Sequence, residues 1–349
     1  MRHIMAKAGI IGHFGYGKEL ANGQTIKTKT VTGELRKQLG RENVITLDTG
    51  GGIKKLFIIL LKCIRVLKMA DNVIIMPAYK GLRILAPYIS FFNFFEKKKI
   101  HYIVIGGWLP EYLEKHIIVR RCLKLFHGIY VETEAMKRKL ERQKFNNVVV
   151  LPNSKDICVL AESELKDIKE RPYRLCTFSR VMKEKGIEEA VYAVECINKL
   201  CGKVIYTLDI YGQIEKGYLE RFERILKENE SYIRYKGVIP SRKSVEILSG
   251  YYLLLFPTYY KGEGFAGTLI DAFSAGLPVV ASDWKYNSEI VTAEVGFLYS
   301  YRERKQLVDL LVKLYENNEL VNGKRMACLR KAKEFSVESV ISVFCKYLD

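Results

Sequence analysis

From residue 8 onward, short apolar runs alternate with longer amphipathic stretches. The runs at 8–12, 43–47, 72–76, 101–105, 128–131 and 148–151 predict strands. The stretches at 23–39, 54–69, 82–98, 114–126 and 135–143 predict the helices between them, with Asn22 as N-cap of the first. Residues 152–172 predict a connector, charged and irregular over 159–170, with some helix. The alternation then restarts. Strands are expected at 174–178, 204–211, 232–235, 252–256 and 278–281. Helices are expected at 186–200, 218–229, 242–248, 268–275, 305–317, 323–334 and 337–348. Apolar strands separated by helices predict parallel sheets covered on both faces. The fold class is therefore α/β, in two similar doubly wound halves joined near residue 160. A cleft between them is the expected ligand site.

Charge divides the two halves. The chain of 349 residues carries a formal +18, but residues 1–155 hold 28 Lys and Arg against 11 Asp and Glu, whereas residues 156–349 hold 29 against 28. A basic first half suggests an anionic partner: a membrane surface, a phosphorylated acceptor or nucleic acid. Solubility alone is the plainer alternative. Eight cysteines form no CxxC pair, so neither a metal site nor a disulfide framework is expected, and reduced thiols in a cytosolic protein are. There is no secretory leader pattern, and no apolar run approaches the ~20 residues of a spanning helix.

Two glycine-rich loops carry the candidate chemistry. The first, GHFGYGKELANGQTIKTKT from Gly12, looks like a Walker A loop, but Glu19 follows Lys18 where a magnesium-binding Ser or Thr is needed. It reads instead as a small-residue loop, including Gly15 and Gly17, before a helix start able to take an anion. The second runs YKGEGFAGTLIDAFSAGLPVVASD from Tyr260. Gly264, Ala266 and Gly267 permit close backbone approach to a ligand, and the amides of Phe265–Thr268 would face a phosphate. Glu263 and Asp271 beside an anion site suit a ligand that also bears hydroxyls.

This second segment resembles the donor-binding signature of retaining, metal-independent glycosyltransferases with the GT-B fold, of the family-four type (glycosyl transferases group 1), the bacterial polysaccharide-assembly kind. That signature places a Glu, seven residues and a second Glu in a phrase like EGFGLPPLEAMACGTPVV; here the phrase is EGFAGTLIDAFSAGLPVV, with Asp271 in the second acidic place. FSRVMKEK before Gly186, DIYGQ with Gly212, YKGVIP with Val238, NSEIV and VLPNSKD are similar to further family phrases. The resemblance implies two Rossmann-like domains facing a cleft. Residues 1–160 would bind the acceptor and residues 161–335 the nucleotide sugar, with 336–349 a helix packing back on the first domain. It implies that Glu263 binds donor-sugar hydroxyls, Asp271 the ribose, and Arg180 and Lys185 the diphosphate. Two cations on one turn also suit a departing diphosphate independently. Gly15, Gly17, Gly212, Val238, Gly264, Phe265, Ala266, Gly267 and Thr268 would line the donor.

One departure is informative. Many relatives place a His at the end of the strand near 101–105, where this chain has Gly106 and Gly107. His13 is then a candidate substitute, with a structural role as its alternative, and His13, Gln24, Gly106 and Gly107 are the acceptor-side candidates.

The expected reaction is hexosyl transfer from a nucleotide sugar, UDP before GDP, to a lipid-diphosphate-linked or saccharide acceptor in surface or capsular polysaccharide assembly. No metal or other cofactor is expected. Basic apolar helices at 54–69, 82–98 and 114–126 would rest on an anionic membrane surface, on the cytoplasmic face. Two rivals remain: a catalytically silent partner subunit of the same fold, and a basic nucleic-acid-binding protein. The latter leaves the Glu263/Asp271 pair unexplained and has no base-reading motif.

Overall fold

The computed structural model describes residues 6–15, 23–51, 55–156 and 158–348. The chain forms two compact units, one of residues 1–156 with 335–349 and one of residues 157–334.

The first unit runs β1 (Ala6–Gly12), α1 (Gly23–Leu39), β2 (Val44–Asp48), α2 (Leu56–Met69), β3 (Ala70–Met76), α3 (Tyr79–Glu96), β4 (Lys99–Ile103), α4 (Leu109–Lys115), α5 (Ile117–Leu123), β5 (Gly128–Val131), α6 (Glu134–Arg142) and β6 (Val148–Val150). Its sheet is parallel throughout, in the order β2-β1-β3-β4-β5-β6. The second unit runs β7 (Tyr173–Phe178), α7 (Ile187–Leu200), β8 (Tyr206–Tyr211), α8 (Leu219–Glu228), β9 (Ile233–Gly237), α9 (Ser244–Leu248), β10 (Leu253–Phe256), α10 (Gly267–Ser274), β11 (Val279–Ser282), α11 (Asn287–Ile290), β12 (Gly296–Tyr299), α12 (Arg304–Glu316), α13 (Glu319–Asn322) and α14 (Arg325–Lys333). Its parallel sheet is ordered β12-β11-β10-β7-β8-β9. Each order reverses direction once, between β1 and β3 and between β7 and β10. Crevices that take ligands open at such reversals, beyond the carboxyl ends of the strands.

α15 (Val337–Cys345) belongs to the first unit. Val340, Ile341 and Phe344 join a core with Ile10, Leu35 and Ile74. A buried polar network fixes this junction. Asn72 Nδ2 donates to the carbonyls of Lys7 at 3.0 Å and Leu348 at 2.8 Å, so its Oδ1 is left to accept. His101 Nε2, 3.0 Å from that oxygen, must therefore carry the proton, and Nδ1 accepts from the Tyr130 hydroxyl at 2.9 Å. The imidazole is satisfied as the neutral form. Burial, then the neighbouring His127 and Lys99, lower its pKa to about 3. The second core stacks Tyr173 on Tyr252 at 4.1 Å, and the hydroxyls of Tyr206 and Tyr252 donate to Leu311 and Leu314 carbonyls of α12.

Three expectations change. The single helix at 114–126 is two, because His116 leaves helical geometry (φ −127°, ψ 74°) and its ring stacks on Tyr112 at 3.7 Å. α4 also begins earlier, at Leu109, where Pro110 occupies the first turn. Residues 159–170 hold only a 3₁₀ turn at Glu162–Glu164. β12 was not expected, since four residues ending in Tyr299 show too little alternation. Asn22, Gly17, Lys18, Glu19 and Lys54 lie outside the described residues.

Because His101 titrates near 6.5 when unfolded and near 3 when folded, the unfolded chain binds the extra proton between those values. Its contribution to stability is complete at neutral pH and is lost as pH falls from about 6.5 towards 3, by up to about 1.4 kcal/mol per pH unit. Denaturation midpoints of the wild type and His101→Gln across this range should diverge in slope. Identical slopes would contradict the buried neutral imidazole.

Candidate functional site

In the second unit the β7/β10 reversal is built from interlocked turns. Gly212, at φ +134°, would put a Cβ 1.8 Å from the Ser179 carbonyl oxygen, and its amide donates to Gly237. Only glycine lets the turn after β8 lie flush on the turn carrying Ser179 and Arg180. Gly186, at φ +74°, would place a Cβ 2.1 Å from the Pro257 oxygen, so the start of α7 presses on the end of β10 in the same way. The amide of Tyr259 donates to Glu184 at 2.8 Å and locks the two segments together.

These contacts bring Lys185 and Glu263 together. Lys185 Nζ lies 2.6 Å from Glu263 Oε2, with side chains 9% and 8% exposed. Thr258 Oγ1 donates to the same oxygen at 2.7 Å. Among the described residues, Glu263 Oε1 has no hydrogen-bond partner and is left to accept. The Tyr260 ring lies 5.3 Å from the Lys185 ammonium and 5.4 Å from the Arg180 guanidinium. Both distances are within cation–π range. Arg180 itself is exposed.

α10 begins just beyond Glu263, where Thr268 Oγ1 donates to the Phe178 carbonyl and anchors the helix start beside the end of β7. Phe265 and Gly264 are buried, and Ala266 and Gly267 half-buried. Asp271, 2% exposed, accepts from Ser244 Oγ at 2.9 Å. Val238 sits exposed beyond β9. The crevice thus combines an exposed guanidinium, a helix start and a carboxylate whose charge is already matched by an ammonium. An anion approaching it meets a net positive surface, and a hydroxyl meets an acceptor oxygen.

In the first unit, His13 Nδ1 is 2.9 Å from Thr25 Oγ1, and Gln24 Nε2 donates to the Met76 carbonyl at 3.2 Å. Both stand at the β1/β3 reversal and line a cavity of about 440 Å³ between α2 and α3. Gly15 lines a second cavity of about 650 Å³. Gly106, at φ +83°, approaches the Glu132 carboxylate with its amide, and Gly107 follows it, buried.

Sequence reasoning missed several of these residues. Thr258 and Tyr260 flank the acidic motif without belonging to its pattern. Lys27 and Glu132 form a buried ion pair at 2.5 Å at the carboxyl rim of the first sheet, 105 residues apart in the chain. Only strand order brings them together.

Truncating one member of a buried ion pair strands the other charge, at a typical cost of 3–5 kcal/mol. Glu263→Ala should therefore lower stability by about 3–5 kcal/mol, whereas Glu263→Gln, which keeps an acceptor for Thr258 and Lys185, should cost less. Urea denaturation of the two variants checks this. Equal, small losses would mean that the pair is not buried in solution.

Comparison with known proteins bears on the family and the fold. The chain resembles the GtfA subunit of the UDP-N-acetylglucosamine–peptide N-acetylglucosaminyltransferase of Streptococcus gordonii, 35% identical over 164 residues, 46% of this chain and 30% of that protein. It also resembles the amylovoran biosynthesis glycosyltransferase AmsK of Erwinia amylovora, 24% identical over 158 residues, 43% of this chain and 38% of that one. The matches span about a third of the length of these curated relatives. Among solved structures, Anabaena HepE in complex with UDP superposes with a TM-score of 0.76 at 13% identity, covering 98% of this chain and 99% of that one. A sucrose-phosphate synthase from Thermosynechococcus elongatus gives 0.74 at 15% identity, over 97% of both chains. These likenesses are of fold, and the fold is GT-B. The family model described as glycosyl transferases group 1 matches residues 161–335, half of the chain, and the chain belongs to that family.

Proposed function

We propose that this glycosyltransferase moves a hexosyl unit from a UDP-sugar to a hydroxyl of a lipid-linked or saccharide acceptor, with retention at the anomeric carbon and without a metal. The observation that carries the reading is the Lys185–Glu263 pair, set beside Arg180 and the start of α10 at the β7/β10 reversal. In the reaction the bond from the anomeric carbon to the UDP β-phosphate oxygen breaks, and one to the acceptor oxygen forms. The acceptor proton passes to the departing phosphate on the same face. Arg180, Lys185 and the helix start stabilise the charge that develops on UDP. Glu263 Oε1 accepts from a sugar hydroxyl and holds the ring in place. Asp271 is assigned to the ribose. The fixed cations and amides supply the positive charge that a metal would otherwise provide, so EDTA should leave turnover unchanged.

Support for UDP comes from the relatives: HepE is described in complex with UDP, and the GtfA proteins are named for UDP-N-acetylglucosamine. A second reading, a partner subunit without turnover of its own, draws on the word subunit in the GtfA names. Donor turnover by the chain alone distinguishes the two.

The basic first half is proposed to seat the enzyme on an anionic membrane at the cytoplasmic face. α2, α3 and α5 expose Phe57, Phe91, Phe94 (77%), Phe95 and Ile118 (65%), with Lys97, Arg120, Arg121 and Lys124 close in sequence. Among the described residues no helix is long and apolar enough to cross a membrane. Apolar side chains flanked by cations suit attachment at the headgroup level. No nucleic-acid partner is proposed.

A thermal-shift panel of UDP, GDP and ADP should show the largest rise with UDP, and Arg180→Ala should weaken UDP binding about ten- to a hundredfold. A silent panel would sink the donor assignment. Replacing Lys62, Arg65 and Lys68 by Glu should reduce sedimentation with anionic vesicles, more so at low salt than high. Unchanged sedimentation would remove the membrane seat.

A further inference from the structure

A cavity of about 320 Å³ opens in the second unit where the ends of β10 and β12 meet the amino ends of α7 and α12. Arg180, Lys185 and Glu263 do not line it, so it is a different space from the β7/β10 crevice. Tyr259, Tyr299 and Tyr301 give it an aromatic lining. The rings of Tyr259 and Tyr301 lie 5.9 Å apart, and Trp284 backs Tyr301 at 4.5 Å. Trp284 is itself fixed, since its Nε1 donates to the Tyr260 carbonyl at 2.9 Å.

Tyr299 is 6% exposed, yet among the described residues its hydroxyl has no hydrogen-bond partner. Its neighbours in the same unit differ. The hydroxyls of Tyr206 and Tyr252 donate to carbonyls of α12, and that of Tyr251 donates to Asp209. A buried hydroxyl left unpaired costs free energy, which a ligand bringing an acceptor would recover. Burial, then the Glu189 carboxylate, raises the pKa of Tyr299, so the phenol keeps its proton at neutral pH and can donate it.

The charges around this hydroxyl are unequal. Arg304 grips Glu189 through two hydrogen bonds, from Nε and from Nη2, the latter at 2.8 Å. The carboxylate charge is thereby matched, and its oxygens keep lone pairs for further donors. Lys183 and Arg302 also line the cavity, exposed and without an ion-pair partner among the described residues, and leave it net positive. The amino ends of α7 and α12 favour negative charge there too. An apolar ligand would waste these polar groups, and a bare anion would leave the aromatic faces and Glu189 unused. A pyranose ring has an apolar C–H face for the aromatic side chains and hydroxyls for Glu189 and Tyr299.

We propose that this cavity is a second saccharide site, taking a hexose that bears one acidic group, a carboxylate or a phosphate, which Lys183 and Arg302 hold. Its volume lies at the lower end of small-ligand pockets and suits one ring rather than a chain. The assignment does not depend on what occupies the donor crevice.

The test is calorimetric titration of the full chain with glucose, glucuronate and glucose 6-phosphate, which share one ring and differ at a single carbon. Inorganic phosphate serves as the bare anion, and each titration is repeated with saturating UDP. At least one acidic sugar should bind about tenfold tighter than glucose, and the ranking of the two tells carboxylate from phosphate. UDP should not displace it. Tyr299→Phe should weaken its binding about three- to tenfold at an unchanged thermal midpoint, because the lost hydroxyl strands no partner. Lys183→Gln combined with Arg302→Gln should bring the acidic sugars level with glucose. Acidic sugars no tighter than glucose, or inorganic phosphate as tight as they are, would overturn the proposal. Displacement by UDP would do the same, since it would put the sugar in the donor crevice. So would a lowered midpoint in Tyr299→Phe, which would mean that the hydroxyl serves the fold. Failure of UDP to bind beside the expected sugar series would strike at the donor assignment and leave this site standing.

Discussion

Each sheet reverses its strand order once, and that constraint organises the chemistry. In a parallel sheet every strand points its carboxyl end to the same rim, and every helix must return to the opposite one. Where successive connections go to opposite sides, the loops part and a crevice opens. In the first sheet this puts His13 beside Pro77. In the second it puts Gly186 beside Pro257. Neither crevice needs a special scaffold, but each needs turns that stay close, and Gly186 and Gly212 allow that where a Cβ would collide with backbone oxygen.

In the proposed reaction, the Lys185–Glu263 pair would let one crevice serve both an anion and a sugar. A lone buried carboxylate would repel a diphosphate, and a lone buried ammonium would be costly to keep dry. Joined, they cancel at short range. The remaining carboxylate oxygen accepts hydroxyls, and exposed Arg180 keeps the region attractive to phosphate. On the proposed function, sugar recognition and charge stabilisation would be divided between neighbours rather than asked of one group.

Much of this was legible in the chain. Apolar runs located eleven of the twelve strands, because a strand buried on both faces must be apolar throughout. β12 escaped because it is short and its Leu298 is partly exposed. The break at His116 escaped because helix periodicity continues across it, and the interruption lies in the backbone geometry of His116 and the stacking of its ring on Tyr112. At the site, motif spacing singled out Glu263 and Lys185 separately. Their contact spans 78 residues and depends on Gly186 against Pro257, which periodicity cannot express. The Lys27–Glu132 pair was invisible for the same reason: it is a product of strand order, not of local pattern.

The hydrogen bond from Asn72 to the Leu348 carbonyl has a consequence for biosynthesis. Residues 157–334 lie between the strands of the first unit and the helix that completes its core. On the ribosome, the second unit has all its residues before the first can bury Ile10, Leu35 and Ile74 beneath Phe344. The half of the protein that is translated first is the half that finishes last, and its sheet must wait in water with the part of one apolar face beneath α15 uncovered. During that interval the basic surface of the nascent chain, through self-repulsion, is its chief protection against association with other copies.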